Sequence, residues 1–159
     1  MGSSNTPLLL NWLLDKNGRA LTVAAGSAHL QGPLPGKVSL SWAPAQWSQP
    51  TGNGAAQWRS QGRVANLPLI WLDALGQQSL ASLGLSSDLL LSGAWDAAHT
   101  DSLHLVATLE RSSGDLRVTT DATGQRSVPA NLSELRLQTN LDGEHLSGSL
   151  RWNSARAGK

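Results

Sequence analysis

The sequence predicts an all-β fold, and three observations support that prediction. Segments 88–96, 102–111 and 133–152 alternate Leu-rich and polar positions with a period of two, as strands with one buried face do. Turn-forming residues recur about every 8–12 residues, a spacing typical of sandwiches and barrels. One segment alone, at 67–75, has helical spacing instead.

A hairpin is expected near each end of the chain. Asn17-Gly18 and Asp142-Gly143 are dipeptides that favour the two central positions of a type I′ turn. With Asp142-Gly143 at the centre, Leu141 is expected opposite Glu144 and Leu137 opposite Gly148. The turn and the alternation then give one apolar face and one polar face, because a one-residue slip would exchange them.

The middle of the chain mixes strands with interruptions. Strands are expected at 27–31, 37–42 and 57–65, with a bulge or a close backbone approach at Gly62. Segment 44–55 is rich in Pro, Gly and polar residues, which predicts an irregular connection.

A short helix is expected near 68–76. Pro68 suits the first helical position, Leu69, Leu72 and Leu75 share a spacing of three, and Gly76 can end the helix. This apolar segment is interpreted as a lid over the end of a sheet, or alternatively as a surface that meets a membrane or a partner.

Composition excludes several classes of function. The 12 basic and 11 acidic residues are scattered, with no basic stripe, so nucleic-acid binding is not expected. Cysteine is absent, which excludes disulfides, thiolate chemistry and Cys-ligated zinc. Charged residues make up 14% of the chain, against about 25% in typical soluble domains.

The domain organisation follows from these patterns. Residues 1–6 are interpreted as a tag remnant, 7–153 as one β-rich domain that forms part of a longer repetitive structure, and 154–159 as a flexible tail. No signal peptide or membrane span is recognised, because the N-terminal LLLNWLL is far shorter than the roughly 18 apolar residues that a span needs. Any targeting segment is expected to lie outside this chain.

The sequence offers no catalytic, metal or cofactor site. His99 and His104 are five residues apart and therefore lie on opposite faces of a strand, with no third ligand. No GxSxG elbow or phosphate-binding loop occurs. The seven Trp residues have two interpretations: they close a core near strand ends, or Trp95 and Trp152 form a carbohydrate platform. Likewise, the apolar face is the core of a closed sheet or the lining of an open trough.

Two segments resemble a known family. The stretch GRVANLPLIWL at 62–72 and the strand and turn LSSDLLLSGAWD at 85–96 are similar to segments of the TamB proteins (translocation and assembly module, AsmA-like superfamily). The chain departs from the family pattern at Ser86-Ser87-Asp88, where Gly-Asp is commoner.

The resemblance implies a curled antiparallel or mixed sheet that forms a U-shaped groove with a hydrophobic lining, called a β-taco, with a closed β-sandwich or barrel as the alternative. It also implies a periplasmic protein of Gram-negative bacteria that is anchored in the inner membrane by a segment absent here and partners a TamA-like outer-membrane barrel. The implied function is non-enzymatic: conduction of phospholipid acyl chains and support of outer-membrane protein and autotransporter assembly. A chaperone-like module that adds client strands to its sheet edge and a carbohydrate-binding β-domain are the alternatives. Free sheet edges also favour self-association.

The candidate lining residues are the inward-facing apolar positions of the predicted strands: Val38, Leu40, Trp42, Leu89, Leu91, Trp95, Leu103, Leu105, Leu109, Leu116, Val118, Leu135, Leu137, Leu146, Leu150 and Trp152.

Overall fold

The computed structural model describes residues 10–15, 18–31, 36–52, 54–74, 80–120 and 126–155. Within these ranges the chain is all-β and every strand pair is antiparallel. The strands are β1 Leu10–Asp15, β2 Gly18–Val23, β3 Gly26–Leu30, β4 Val38–Trp42, β5 Ala45–Pro50, β6 Gln57–Pro68, β7 Leu85–Ser87, β8 Leu90–His99, β9 Leu103–Ser113, β10 Leu116–Thr119, β11 Ser127–Pro129, β12 Leu132–Asp142 and β13 His145–Ser154.

Ten strands form one large sheet and three form a small one. The large sheet runs in the order β1-β2-β5-β6-β8-β9-β12-β13, while β4 pairs with β6 and carries β3 on its other side. The small sheet has the order β11-β10-β7. Its strands come from distant parts of the chain, so the small sheet joins the start of β8 to the start of β12.

The register of the large sheet sorts residues by polarity. One transverse row contains Leu40, Val64, Gly93, Leu109, Leu137 and Leu150. The adjacent row points to the opposite side and contains Arg63, Ala94, Thr108, Gln138 and Ser149. Because successive side chains of a strand point to opposite faces, the sheet has one apolar face and one polar face, defined by these two rows.

Little of the apolar face is covered. Among the described residues the buried apolar side chains are Val38, Pro68, Leu89, Leu91 and Ala97. The large sheet is not closed into a barrel, because β1 and β13 stand at its two ends and do not pair with each other. The closed-barrel alternative is therefore wrong.

The C-terminal hairpin keeps the predicted faces but changes its register by two residues. Asp142 pairs with His145, so Gly143 and Glu144 form the turn, and Leu141 lies opposite Leu146 rather than Glu144. Gly143 has a φ of 60°, and Glu144 has no positive φ, the pattern of a type II′ turn. In this register Leu137 lies opposite Leu150 rather than Gly148. Asp142 lies outside the turn, and its carboxylate is 2.8 Å from the His104 ring of β9.

The middle of the chain contains two further differences from the sequence expectation. Ala45–Pro50, expected to be irregular, forms β5 between β2 and β6. The bulge in β6 lies between Val64 and Leu67, near Asn66 with its φ of 59°, while Gly62 is the site of a close approach. A Cβ at Gly62 would lie 2.3 Å from the Trp95 ring.

The expected helix near 68–76 is a 3-10 helix over Leu69–Ala74, and a second 3-10 helix covers Ala81–Leu83. Residues 75–79 lie outside the described part. The backbone N–H of Leu69 donates to the carbonyl of Leu89 at 2.9 Å, because β6 and β8 remain adjacent up to Pro68 and Leu90.

A candidate apolar binding cleft

A cleft of about 600 Å³ opens between the small sheet and the β12–β13 end of the large sheet. The small sheet contributes Leu116, Val118 and Val128, and the hairpin contributes Leu135, Leu150 and Trp152. The remaining lining residues are Leu69, Leu89, Thr120, Pro129, Ala130, Leu132 and Ser154. The volume lies within the range of about 300–1,000 Å³ that is usual for ligand pockets.

The carboxylate of Asp115 holds the small sheet in place beside the hairpin. It accepts backbone N–H groups from Asn131 at 2.8 Å, Leu132 at 3.0 Å and Leu116 at 2.8 Å. The N–H of Asp115 in turn donates to the Asp88 carboxylate at 2.7 Å. Asp115 therefore connects the start of β10 with the start of β12 and with the residue before Leu89.

These hydrogen bonds also determine the charge state of Asp115. Burial of the carboxylate by itself raises its pKa, but hydrogen bonds from Leu132, Asn131 and Leu116 and the positive charge of Arg111 lower it by more. The pKa of Asp115 therefore lies below its ordinary value. The carboxylate is ionised at neutral pH, the form that accepts all three bonds.

The cleft presents few polar atoms to an occupant. Thr120 and Ser154 are its polar side chains, and their hydroxyls donate to the backbone carbonyls of Arg126 and Ala130. None of the described residues that line the cleft is ionisable. These residues therefore offer an occupant apolar surface and no charged group.

The floor and the mouth of the cleft differ in exposure. Leu89 is 1% exposed, whereas Val118, Leu150 and Trp152 are 42%, 55% and 60% exposed. Such exposed side chains clustered around an apolar cleft are typical of a binding surface.

Six of the predicted lining residues line this cleft: Leu89, Leu116, Val118, Leu135, Leu150 and Trp152. The other ten lie outside its lining, on the apolar face of the large sheet. They are Val38, Leu40, Trp42, Leu91, Trp95, Leu103, Leu105, Leu109, Leu137 and Leu146. Of these ten, Val38 and Leu91 are buried, and Leu146 is 71% exposed.

The sequence reasoning missed several lining residues. Val128 and Pro129 follow a polar stretch for which no strand was predicted, and with Ser127 they form the three-residue strand β11. Leu132 lies just before the predicted hairpin and pairs with Ser154 across a register shift. Three residues are too few for a recognisable alternation, so the one available signal was the apolar pair Val128-Pro129 inside a polar stretch.

Two of the Trp side chains lie against glycines of neighbouring strands. Trp42 stands opposite both Gly26 and Gly62, and Trp95 stands opposite Gly62. The Trp42 indole N–H donates to the carbonyl of Ala24 at 2.9 Å, and that of Trp95 donates to Ser60 at 3.1 Å. The indole of Trp95 is thus engaged within the sheet, whereas Trp152 at the cleft is exposed.

The histidines do not form a metal site. His99 Nδ1 lies 2.9 Å from the carbonyl oxygen of Ala56, and His104 faces the other side of the sheet toward Asp142. Over the described ranges there is no group of three or more His, Cys, Asp or Glu side chains that could hold a metal ion.

Comparisons of the chain with protein-family models, with curated proteins and with solved structures give no match. In the part of the chain that the structure describes, no helix is both long and apolar enough to cross a membrane.

Proposed function

We propose that this protein is a non-enzymatic carrier segment that binds the acyl chains of phospholipids in the cleft between its small sheet and the β12–β13 hairpin. The observation that supports this proposal is the cleft lining: of the 13 described residues that form it, 11 are apolar and none is ionisable. An acyl chain is the natural occupant of such a surface, because each buried methylene contributes about 0.8 kcal/mol and requires no hydrogen bond.

The wider role follows from the resemblance of segments 62–72 and 85–96 to TamB proteins. In this proposal the apolar face of the large sheet is the lining of an open β-taco groove, and the cleft is one acyl-chain binding site along that groove. Phospholipid would pass through the periplasm of a Gram-negative bacterium, from an inner-membrane anchor outside this chain to a TamA-like barrel in the outer membrane. Outer-membrane protein assembly would depend on the same conduit.

Binding of a fluorescent fatty acid, cis-parinaric acid, tests the cleft. Val118→Asp introduces a charge into the cleft, where Val118 is 42% exposed, and Val106→Asp introduces the same charge on the polar face, where Val106 is 45% exposed. We expect saturable binding by the wild type and by Val106→Asp, and at least a tenfold weaker affinity for Val118→Asp, because an ion is expensive to bury unpaired. Equal affinities for the two variants would contradict the proposal.

A second pair of variants, on the hairpin, controls for the possibility that Val118→Asp misfolds the small sheet. Leu150→Asp places the charge on the hairpin side of the cleft, and Ser149→Asp places it on the neighbouring residue with the opposite orientation. Circular dichroism before titration establishes that each variant is folded.

In a full-length protein, Leu137→Asp should likewise reduce phospholipid flux, and an unchanged flux would argue against a conduit.

A second candidate function uses the edge of the large sheet rather than its face. Within the described residues β13 pairs with β12 and with no strand on its other side, so it could take up an extended client strand by β-augmentation. Photocrosslinks from β13 to nascent outer-membrane strands, with none to lipid, would favour this chaperone-like role.

A further inference from the structure

The small sheet continues three neighbouring strands of the large sheet. Strands β8, β9 and β12 are neighbours in the large sheet, and β7, β10 and β11 are neighbours in the small sheet in the same lateral order. Each strand of one sheet is joined to its counterpart in the other by a connector of two residues: Asp88-Leu89, Gly114-Asp115 and Ala130-Asn131. These three connectors together form a seam between the sheets, which we call the crease.

Hydrogen bonds join the three connectors of the crease to one another. The N–H of Asp115 donates to the Asp88 carboxylate at 2.7 Å, and the N–H of Asp88 donates to the Asp115 carbonyl at 3.3 Å. The Asp115 carboxylate accepts the N–H of Asn131 at 2.8 Å, and the N–H of Ala130 donates to the Leu116 carbonyl at 2.7 Å. Chain and hydrogen bonds therefore close the cleft along the crease.

The crease is also the deepest part of the cleft. Leu89, in the first connector, lines the cleft and is 1% exposed. Its N–H donates to the Ser87 hydroxyl at 3.0 Å, and its carbonyl accepts the N–H of Leu69 at 2.9 Å. Both backbone groups of Leu89 are therefore fixed, and the Leu89 side chain forms a floor that is held in place.

The wall of the cleft becomes more exposed with distance from the crease. Along β10, Leu116 beside the crease is half-buried, Val118 is 42% exposed and Thr120 is exposed. These alternate residues share one face of the strand, and β10 is the middle strand of the small sheet. Among the described residues the cleft is thus a wedge, closed at the crease and accessible at the Thr120 end.

The charges at the closed end suit an apolar group. The carboxyl groups of Asp88 and Asp115 lie in the crease, and none of the described lining residues carries a positive charge. An anionic headgroup at the closed end would be buried beside carboxyl groups with no positively charged partner, which is expensive. The methyl end of an acyl chain requires no such partner.

We propose that the cleft is a blind site, which an acyl chain enters with its methyl end first and in which the crease limits the length of chain that can be buried. The headgroup remains at the accessible end, beyond Val118 and Thr120. This inference rests on the proposed acyl-chain binding and adds the orientation of the chain. It also assigns the residues that limit chain length, which are Leu89 on the floor and Ala130 in the third connector.

A fatty acid with a carboxylate at each end tests the orientation. Palmitic acid and hexadecanedioic acid have the same chain length, but the latter has a second carboxylate in place of the methyl end. Each is titrated against bound cis-parinaric acid. We expect hexadecanedioic acid to bind at least tenfold more weakly, because the closed end would bury its second carboxylate unpaired. Equal affinities would mean that both ends of the chain reach solvent and would overturn the proposal.

A series of saturated fatty acids, from octanoic to stearic acid and each below its micelle concentration, tests the length limit. Affinity should rise by up to about fourfold per methylene and stop rising once the chain reaches the crease. Ala130→Leu fills part of the closed end and should move this limit to a shorter chain. Ala94→Leu, the same substitution at an exposed position of the polar face, should leave the limit in place.

Leu89→Ala should move the limit in the opposite direction, to a longer chain, because it removes part of the floor. Leu89 is a core residue whose truncation is destabilising, so circular dichroism precedes the titration, and Ala130→Leu decides the test if Leu89→Ala does not fold.

The outcomes of this series separate the two proposals. A wild type that binds none of these fatty acids saturably would contradict acyl-chain binding itself, and this inference with it. Saturable binding whose affinity keeps rising up to stearic acid would overturn the closed end alone. So would a length limit that is the same in the wild type and in Ala130→Leu.

Discussion

At the scale of single residues, Gly62 lies at a close contact between neighbouring strands of the large sheet. A Cβ there would lie 2.3 Å from the Trp95 ring and 2.5 Å from the carbonyl oxygen of Ser41. We expect Gly62→Ala to lower the free energy of unfolding by about 1–3 kcal/mol, the usual cost of overpacking, as measured by urea denaturation.

Gly148→Ala is the control for this substitution. The nearest atom to a Cβ at Gly148 is the carbonyl oxygen of Gln138 at 3.5 Å, which is an ordinary contact. Gly148→Ala should change the stability by less than about 0.5 kcal/mol. Equal effects at the two glycines would mean that the Trp95 contact is not tight.

The attachment of the small sheet through the Asp115 carboxylate should depend on pH. Its pKa is lowered in the folded protein, so its stabilising effect is complete above the unfolded pKa of about 3.9 and is lost as the pH falls through the lower folded value. Asp115→Asn should lower the melting temperature at pH 7, and this difference from the wild type should shrink below about pH 4. Hydrogen exchange should become faster at the Asn131 and Leu132 amides.

The matched substitution for Asp115 is Asp101→Asn, in the exposed turn between β8 and β9. It should leave exchange at Asn131 and Leu132 unchanged. Unaltered exchange in Asp115→Asn at pH 7 would mean that the carboxylate does not hold the two sheets together.

At the scale of elements, the turn of the β12–β13 hairpin depends on Gly143. Its φ of 60° is unfavourable for residues with a Cβ, so Gly143→Ala should cost about 1 kcal/mol of stability. Glu144→Ala, at the other central position, should cost little. Urea denaturation of both variants measures this difference, and an equal or larger loss for Glu144→Ala would contradict a turn that depends on Gly143.

The alternation of Leu and polar residues was sufficient to predict the faces of the large sheet, because faces depend on the period of two. The register was not predictable from the turn dipeptide alone: in the observed hairpin Leu141 meets Leu146 and Asp142 meets His104 of a third strand. That contact depends on β9, which lies about 40 residues away in the chain.

The cleft was less predictable than the sheet. It depends on the pairing of Leu116–Thr119 with Leu85–Ser87 and with Ser127–Pro129, strands of three or four residues that carry no periodic signal. What brings them to the hairpin is the Asp115 carboxylate, which accepts hydrogen bonds from residues far along the sequence. Inward apolar residues were thus predictable one by one, but the way in which six of them enclose a cleft was not.

At the scale of the whole molecule, the sequence supplies far more apolar face than the fold buries. The large sheet has Leu, Val and Trp along one face, yet Leu137, Leu146, Leu150 and Trp152 remain exposed at its β13 end. An uncovered apolar face of this kind is usually an interaction site. In the proposed function, acyl chains in the cleft would cover part of this end.

Mass spectrometry of organic extracts tests acyl-chain binding most directly. The wild type and the Val106→Asp and Val118→Asp variants would be purified in parallel from a bacterial host without detergent. We predict phospholipid or fatty acid in the extracts of the wild type and Val106→Asp, and a strong reduction in that of Val118→Asp. Extracts of the folded wild type without any acyl lipid, or equal amounts of lipid from all three proteins, would contradict the account.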